Sequence, residues 1–129
     1  MRTTAQQSSK KHGFTLIEIM VVVSIVGLLA TIAVCNFMIA RDNSRLQTIR
    51  HNLGKIEAAK EQWAFEKFKT DGTPVDDMTV LSEYFRGGEV NQVVQETYIP
   101  NPIGTIAEAA LPAGVKLGPY AAGASIPAP

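Results

Sequence analysis

The sequence has 129 residues, with 12 basic and 12 acidic side chains and a formal net charge of zero, enough chain for one small domain. Without the first 13 residues, which hold Arg2, Lys10 and Lys11, 9 basic and 12 acidic side chains remain, a formal −3 that argues against a general nucleic-acid partner. Cys35 is the single cysteine, which excludes an intramolecular disulfide, and His12 and His51 lack partners at ligand spacing, so neither a metal nor a cofactor is expected.

Residues 1–13 are short, polar and basic, and read as a leader that forms no core. Residues 14–40 follow, and much of the 46% apolar content lies there. From Ile19 to Ala40, 22 residues carry no charge. As a helix they span about 33 Å, which matches a hydrocarbon core of about 30 Å. The run is apolar on all sides, so it is read as a membrane span and not as an amphipathic surface helix. Basic residues on its two sides nearly balance: Arg2, Lys10 and Lys11 precede it, while Arg41, Arg45 and Arg50 follow. The leader charges lie nearer the span, which favours a cytoplasmic amino terminus.

Residues 41–69 change to an amphipathic pattern. Leu46, Ile49, Leu53, Ile56 and Trp63 fall on one helical face, with Ala59 and Lys60 between the last two. The other face carries Arg45, Gln47, Arg50, Lys55, Glu57, Glu61 and Lys67, and Glu57 with Lys60 forms an opposite-charge pair at i,i+3. No proline occurs between Phe14 and Gly72, so one helix is expected over residues 15–69, its second half laid under a small head. Gly72 is the expected left-handed cap and Pro74 the stop.

The head, residues 70–129, holds weaker signals. A short helix is expected over residues 79–85, with Leu81, Tyr84 and Phe85 inward. Residues 90–94 and 97–99 are β-prone, and Pro100-Asn101-Pro102 is a turn or loop. Thr105-Ile106-Ala107-Glu108 has capping-box form, which predicts a helical turn up to Leu111. Residues 115–117 are a strand candidate, and 121–129 read as a loose tail. The expected class is α+β: one long amino-terminal helix on a small head with a short helix and a few short strands.

The order of features at the amino terminus is specific. A secretory signal peptide has a shorter apolar stretch with a small-residue cleavage site after it. Here the stretch is long and Gly13 precedes it. Glu18 lies inside it, where a charge costs about 2.5–3.5 kcal/mol and calls for a partner. The segment Lys10-Lys11-His12-Gly13-Phe14-Thr15-Leu16-Ile17-Glu18 resembles the prepilin peptidase recognition segment of type IV pilins and type II secretion pseudopilins. That resemblance implies recognition of the leader through Lys10, Lys11 and Gly13, cleavage between Gly13 and Phe14, and N-methylation of Phe14. It further implies that Glu18 pairs with the amino terminus of a neighbouring subunit, where a cation makes the carboxylate tolerable in apolar surroundings. The implied partners are further copies of this chain and other pseudopilins in a filament, the prepilin peptidase, an inner-membrane assembly platform, and membrane lipid before assembly.

Gly27 and Asn36-Phe37 also match the family, as, more loosely, do residues 52–64 and 98–105. Cys35 departs from it, standing where many members have a proline, so no kink is expected there. Ile32-Ala33-Val34-Cys35 only roughly resembles a lipoprotein acylation site, since Val34 occupies a position that needs a small residue. Ser24, Gly27 and Thr31 share one face and would let helices approach closely. Asp71, Asp76 and Asp77 lack the alternation of oxygen ligands that a calcium loop needs, and are read as cap and solvent residues. Without a nucleophile–base pair, phosphate loop or metal cluster, no catalytic residue is assigned and the chain is not expected to be an enzyme. The expectation is a structural subunit of a type II secretion pseudopilus. The alternative is a type IV pilus subunit or a minor pilin for adhesion, motility or DNA uptake. Tip pseudopilins usually lack the glutamate, so Glu18 argues against that position.

Overall fold

The computed structural model describes residues 13–129 except Arg86 and Gly88; the leader, with Lys10 and Lys11, lies outside the described residues. The elements are α1 (Leu16–Glu66), a 3-10 helix (Met78–Tyr84), β1 (Thr97–Ile99), β2 (Glu108–Ala110) and β3 (Ser125–Pro127). The chain divides into two units, one ending at Phe37 and the other Met38–Pro129.

In the first unit α1 has no core of its own, and every described residue is exposed. The two hydroxyls in the run are satisfied within the helix. Ser24 Oγ donates to the Met20 carbonyl at 2.7 Å and Thr31 Oγ1 to the Gly27 carbonyl at 2.9 Å. A helix that satisfies its own polar groups can be surrounded by hydrocarbon on all sides. Helical backbone continues through Cys35, since cysteine retains the amide that proline would remove.

In the second unit the expected stripe is buried: Leu46, Ile49, Leu53, Ile56, Ala59, Lys60 and Trp63, joined by Asn52. Leu81, Ala107, Ala109, Leu111, Leu117, Ile126 and Ala128 complete the core. The sheet order is β1-β2-β3, antiparallel throughout. Alternation along the central strand puts Ala107, Ala109 and Leu111 inward. Pro127 has no N–H to donate, which an edge strand such as β3 tolerates.

Several local expectations are corrected. The left-handed cap of α1 is Phe68 (φ 52), not Gly72; Gly72 (φ 82) instead belongs to a turn in which Thr73 N–H donates to the Thr70 carbonyl. The short helix is of 3-10 type, with Leu81 fully buried and Tyr84 and Phe85 half-buried. Residues 90–94 are not a strand. The Val93 and Val94 amides are given to the Glu96 carboxylate and are lost to any ladder. Residues 105–111 are not helical. Ala107 N–H donates to Glu57, and its carbonyl accepts from Ala128 N–H at 2.9 Å, so distant partners draw this backbone into the sheet. Residues 115–117 contribute only a bridge between Leu117 and Tyr120. The tail is the third strand, with Ile126 fully buried. Glu57, expected outward, is drawn into the head by that same contact with Ala107.

Candidate functional site: the amino-terminal segment

The start of α1 is set by a reciprocal pair. Glu18 N–H donates to Thr15 Oγ1 at 3.3 Å, and Thr15 N–H donates to Glu18 Oε2 at 3.4 Å. Thr15 is the N-cap and Glu18 the third helical residue, which is the geometry of a capping box. The carboxylate also lies at the positive end of the helix dipole. Sequence reasoning assigned Glu18 to assembly alone and missed this local role, although Thr-x-x-Glu before an apolar run is legible in the chain.

The cap leaves Glu18 exposed, and Phe14 is 79% exposed. An oxygen already shared with one weak backbone donor retains lone pairs for a cation. Gly13 is not required by the fold: a Cβ there meets nothing within 4 Å, and its φ is not in the left-handed region. Gly27 is equally unconstrained, although an interior helical glycine costs about 1 kcal/mol relative to alanine.

The head is locked by two polar clusters. Lys60, 2% exposed, donates through Nζ to the Thr105 carbonyl at 2.6 Å and to Glu57 Oε1 at 3.2 Å, while Glu57 accepts from Ala107 N–H. Together they fasten α1 to the strand that enters β2. In the second cluster Glu96 is fully buried and accepts from Val94 N–H at 2.8 Å, Val93 N–H at 3.0 Å and Tyr98 O–H at 2.6 Å. Asn52 Nδ2 donates to Tyr98 Oη at 2.9 Å and to the Asn91 carbonyl at 3.0 Å. Burial pushes the Glu96 carboxyl up, but the hydrogen bonds from Tyr98 and the backbone amides outweigh it and hold the carboxyl below its ordinary value. The Tyr98 hydroxyl is raised, first by burial and then by Glu96. No alternating pattern announces these clusters, because their partners are up to 50 residues apart.

Among the described residues no group of three or more His, Cys, Asp or Glu side chains could hold a metal. Asp71 packs against Gly104, and Asp77 Oδ2 accepts from the Thr79 hydroxyl at 3.0 Å. Cys35 is a free, exposed thiol. Among the described residues α1 alone is long and apolar enough to cross a membrane.

The family model for the prokaryotic N-terminal methylation motif matches residues 8–34. The chain is 40% identical over 58 residues to the type IV major pilin protein PilA of Myxococcus xanthus, covering 45% of this chain and 26% of that protein. It is 42% identical over 53 residues to a probable minor fimbrial protein of Dichelobacter nodosus, covering 41% and 33%. It is 36% identical over 67 residues to the type II secretion system core protein G of Pseudomonas aeruginosa, covering 52% and 47%. The matches thus span between a quarter and a half of these relatives' lengths. No solved structure matches the chain. The methylation motif and these relatives make the amino-terminal part of the chain similar to type IV pilins and pseudopilins, and one long helix followed by a small antiparallel head is consistent with a pilin-like fold.

Proposed function

We propose that the chain is a structural subunit of a type II secretion pseudopilus. The observation that carries this reading is an apolar helix, exposed throughout residues 16–40, that begins at a capped but still accessible glutamate. Such a surface needs lipid first and protein neighbours later. The prepilin peptidase removes residues 1–13, the amine of Phe14 is N-methylated, and α1 holds the chain in the inner membrane with its head outside. An assembly platform then moves the helix into the filament. There the Glu18 carboxylate of one subunit receives the Phe14 amine of the next, so that a charge held by one backbone donor gains an ion pair. The contact joins two different surfaces of successive copies, the heterologous type that open filaments require.

The relatives favour a second reading, a type IV pilus subunit or minor pilin, because two of the three are named a pilin and a fimbrial protein. Deleting the chain separates the two. A pseudopilus subunit is needed for export of proteins across the outer membrane, whereas a pilus subunit is needed for surface fibres, adhesion, motility or DNA uptake. Mass spectrometry of the mature chain tests the processing. A terminal peptide that begins at N-methylated Phe14 is expected; an uncut chain, or a cut elsewhere, overturns it.

A further inference from the structure

Phe68 and Phe65 are 92% and 87% exposed, the most exposed large apolar side chains among the described residues. Phe68 breaks a second rule. It occupies the left-handed position that closes α1, with φ 52, where a bulky side chain is unusual and glycine is preferred. Its placement is fixed on both sides. Lys67 N–H donates to the Trp63 carbonyl at 2.9 Å, and Lys69 N–H reaches back to the Ala64 carbonyl at 2.8 Å. The Lys69 ammonium lies over the Trp63 ring, 5.7 Å from its centroid. The fold thus holds a phenyl ring in water, flanked in the chain by Lys69 and by Lys67, whose ammonium lies 3.6 Å from Glu66, at a site where glycine would close the helix with less strain. A rule broken locally without any gain inside the chain points to a partner.

A complementary surface lies elsewhere on the head. The 3-10 helix, residues 89–92 and β1 enclose a groove of about 550 Å³, lined by Met78, Phe85, Val90 and Tyr98 with Glu89 among the polar residues. Methionine and aromatic side chains adapt to an inserted ring. Phe68 does not fill its own groove, since almost all of its surface is open. Building on the filament reading, we infer that Phe68 inserts into the groove between the 3-10 helix and β1 of a second copy, with Lys69 facing that copy's Glu89. Knob and groove are different surfaces, as a head-to-tail array needs, and Lys69 beside the knob is opposite in charge to Glu89 in the groove.

The test uses the full-length chain in cells that carry its assembly machinery, with Cys35→Ala removing the native thiol. Lys69→Cys combined with Glu89→Cys, which keeps Phe68, is expected to give an oxidation-dependent ladder of dimers and higher multimers, and each single cysteine variant no ladder. Phe68→Gly is expected to melt at or above the temperature of the native chain, because glycine suits the left-handed position, yet to lower filament yield at least tenfold. Lys69→Glu is expected to lower yield and Glu89→Lys to restore it. Native-level filaments from Phe68→Gly, or filaments whose paired cysteines give no ladder, overturn the docking and leave the filament reading intact. A processed native chain that forms no filament overturns both.

Discussion

The two units of this chain handle polar and apolar groups in opposite ways. In Met38–Pro129 the apolar stripe of α1 is covered by the chain's own sheet, and among the described residues no buried side-chain nitrogen or oxygen lacks a partner. Among the described residues of the unit ending at Phe37 the apolar surface is uncovered, while Ser24 and Thr31 donate within the helix and Glu18 accepts one bond from Thr15 N–H. The first pattern is that of a finished domain. The second is the pattern of a segment whose apolar surface the proposed function gives first to lipid and then to further copies of the chain. Substitutions in the head should therefore act on stability, and those in the amino-terminal run should act on assembly.

The sharpest challenge to that division is Glu96→Ala. It leaves two backbone amides and a tyrosine hydroxyl without their buried acceptor, and should cost the head about 3 kcal/mol in denaturant unfolding of the full chain in detergent. Native behaviour would mean that the cluster does not hold residues 90–96. The same group sets a pH dependence. The folded carboxyl sits below its unfolded value, so its stabilisation is complete above the ordinary carboxylate range and is lost as pH falls through the lowered folded value. Glu96→Gln should flatten that acid limb. Leu53→Ala, at a fully buried position, should also cost about 3 kcal/mol through transfer and cavity terms. By contrast Ile25→Ala, in the exposed run, should leave the unfolding of the head unchanged and reduce only filament yield. An equal loss of head stability would break the comparison. Thr15→Ala sharpens it at the smallest scale: loss of the cap should cost about 1 kcal/mol and speed amide exchange at Glu18 about fivefold.

The long helix, the buried stripe from Leu46 to Trp63 and the α+β class were legible because periodicity and length are local signals. Even the burial of Lys60 could be read from its place on that stripe. The head was less legible. Thr105 to Glu108 looks like a helix start, yet Glu57 and Ala128 claim the Ala107 backbone from distant positions. The last nine residues look loose because Ala, Gly and Pro carry little pattern, and Ile126 finds its core only once β2 exists. Gly72 was the natural cap by residue type, and Phe68 took that place against propensity. At the amino terminus the motif was plain, but Glu18 proved to have a partner within its own helix. This adds a local role: the carboxylate is positioned by the start of its own helix.

Glu18→Ala, scored together for processing and for filament yield, tests that role most directly. The account predicts a chain cut after Gly13 and inserted in the membrane as before, with filament yield reduced at least tenfold. Native filament yield from the processed Glu18→Ala chain would contradict it.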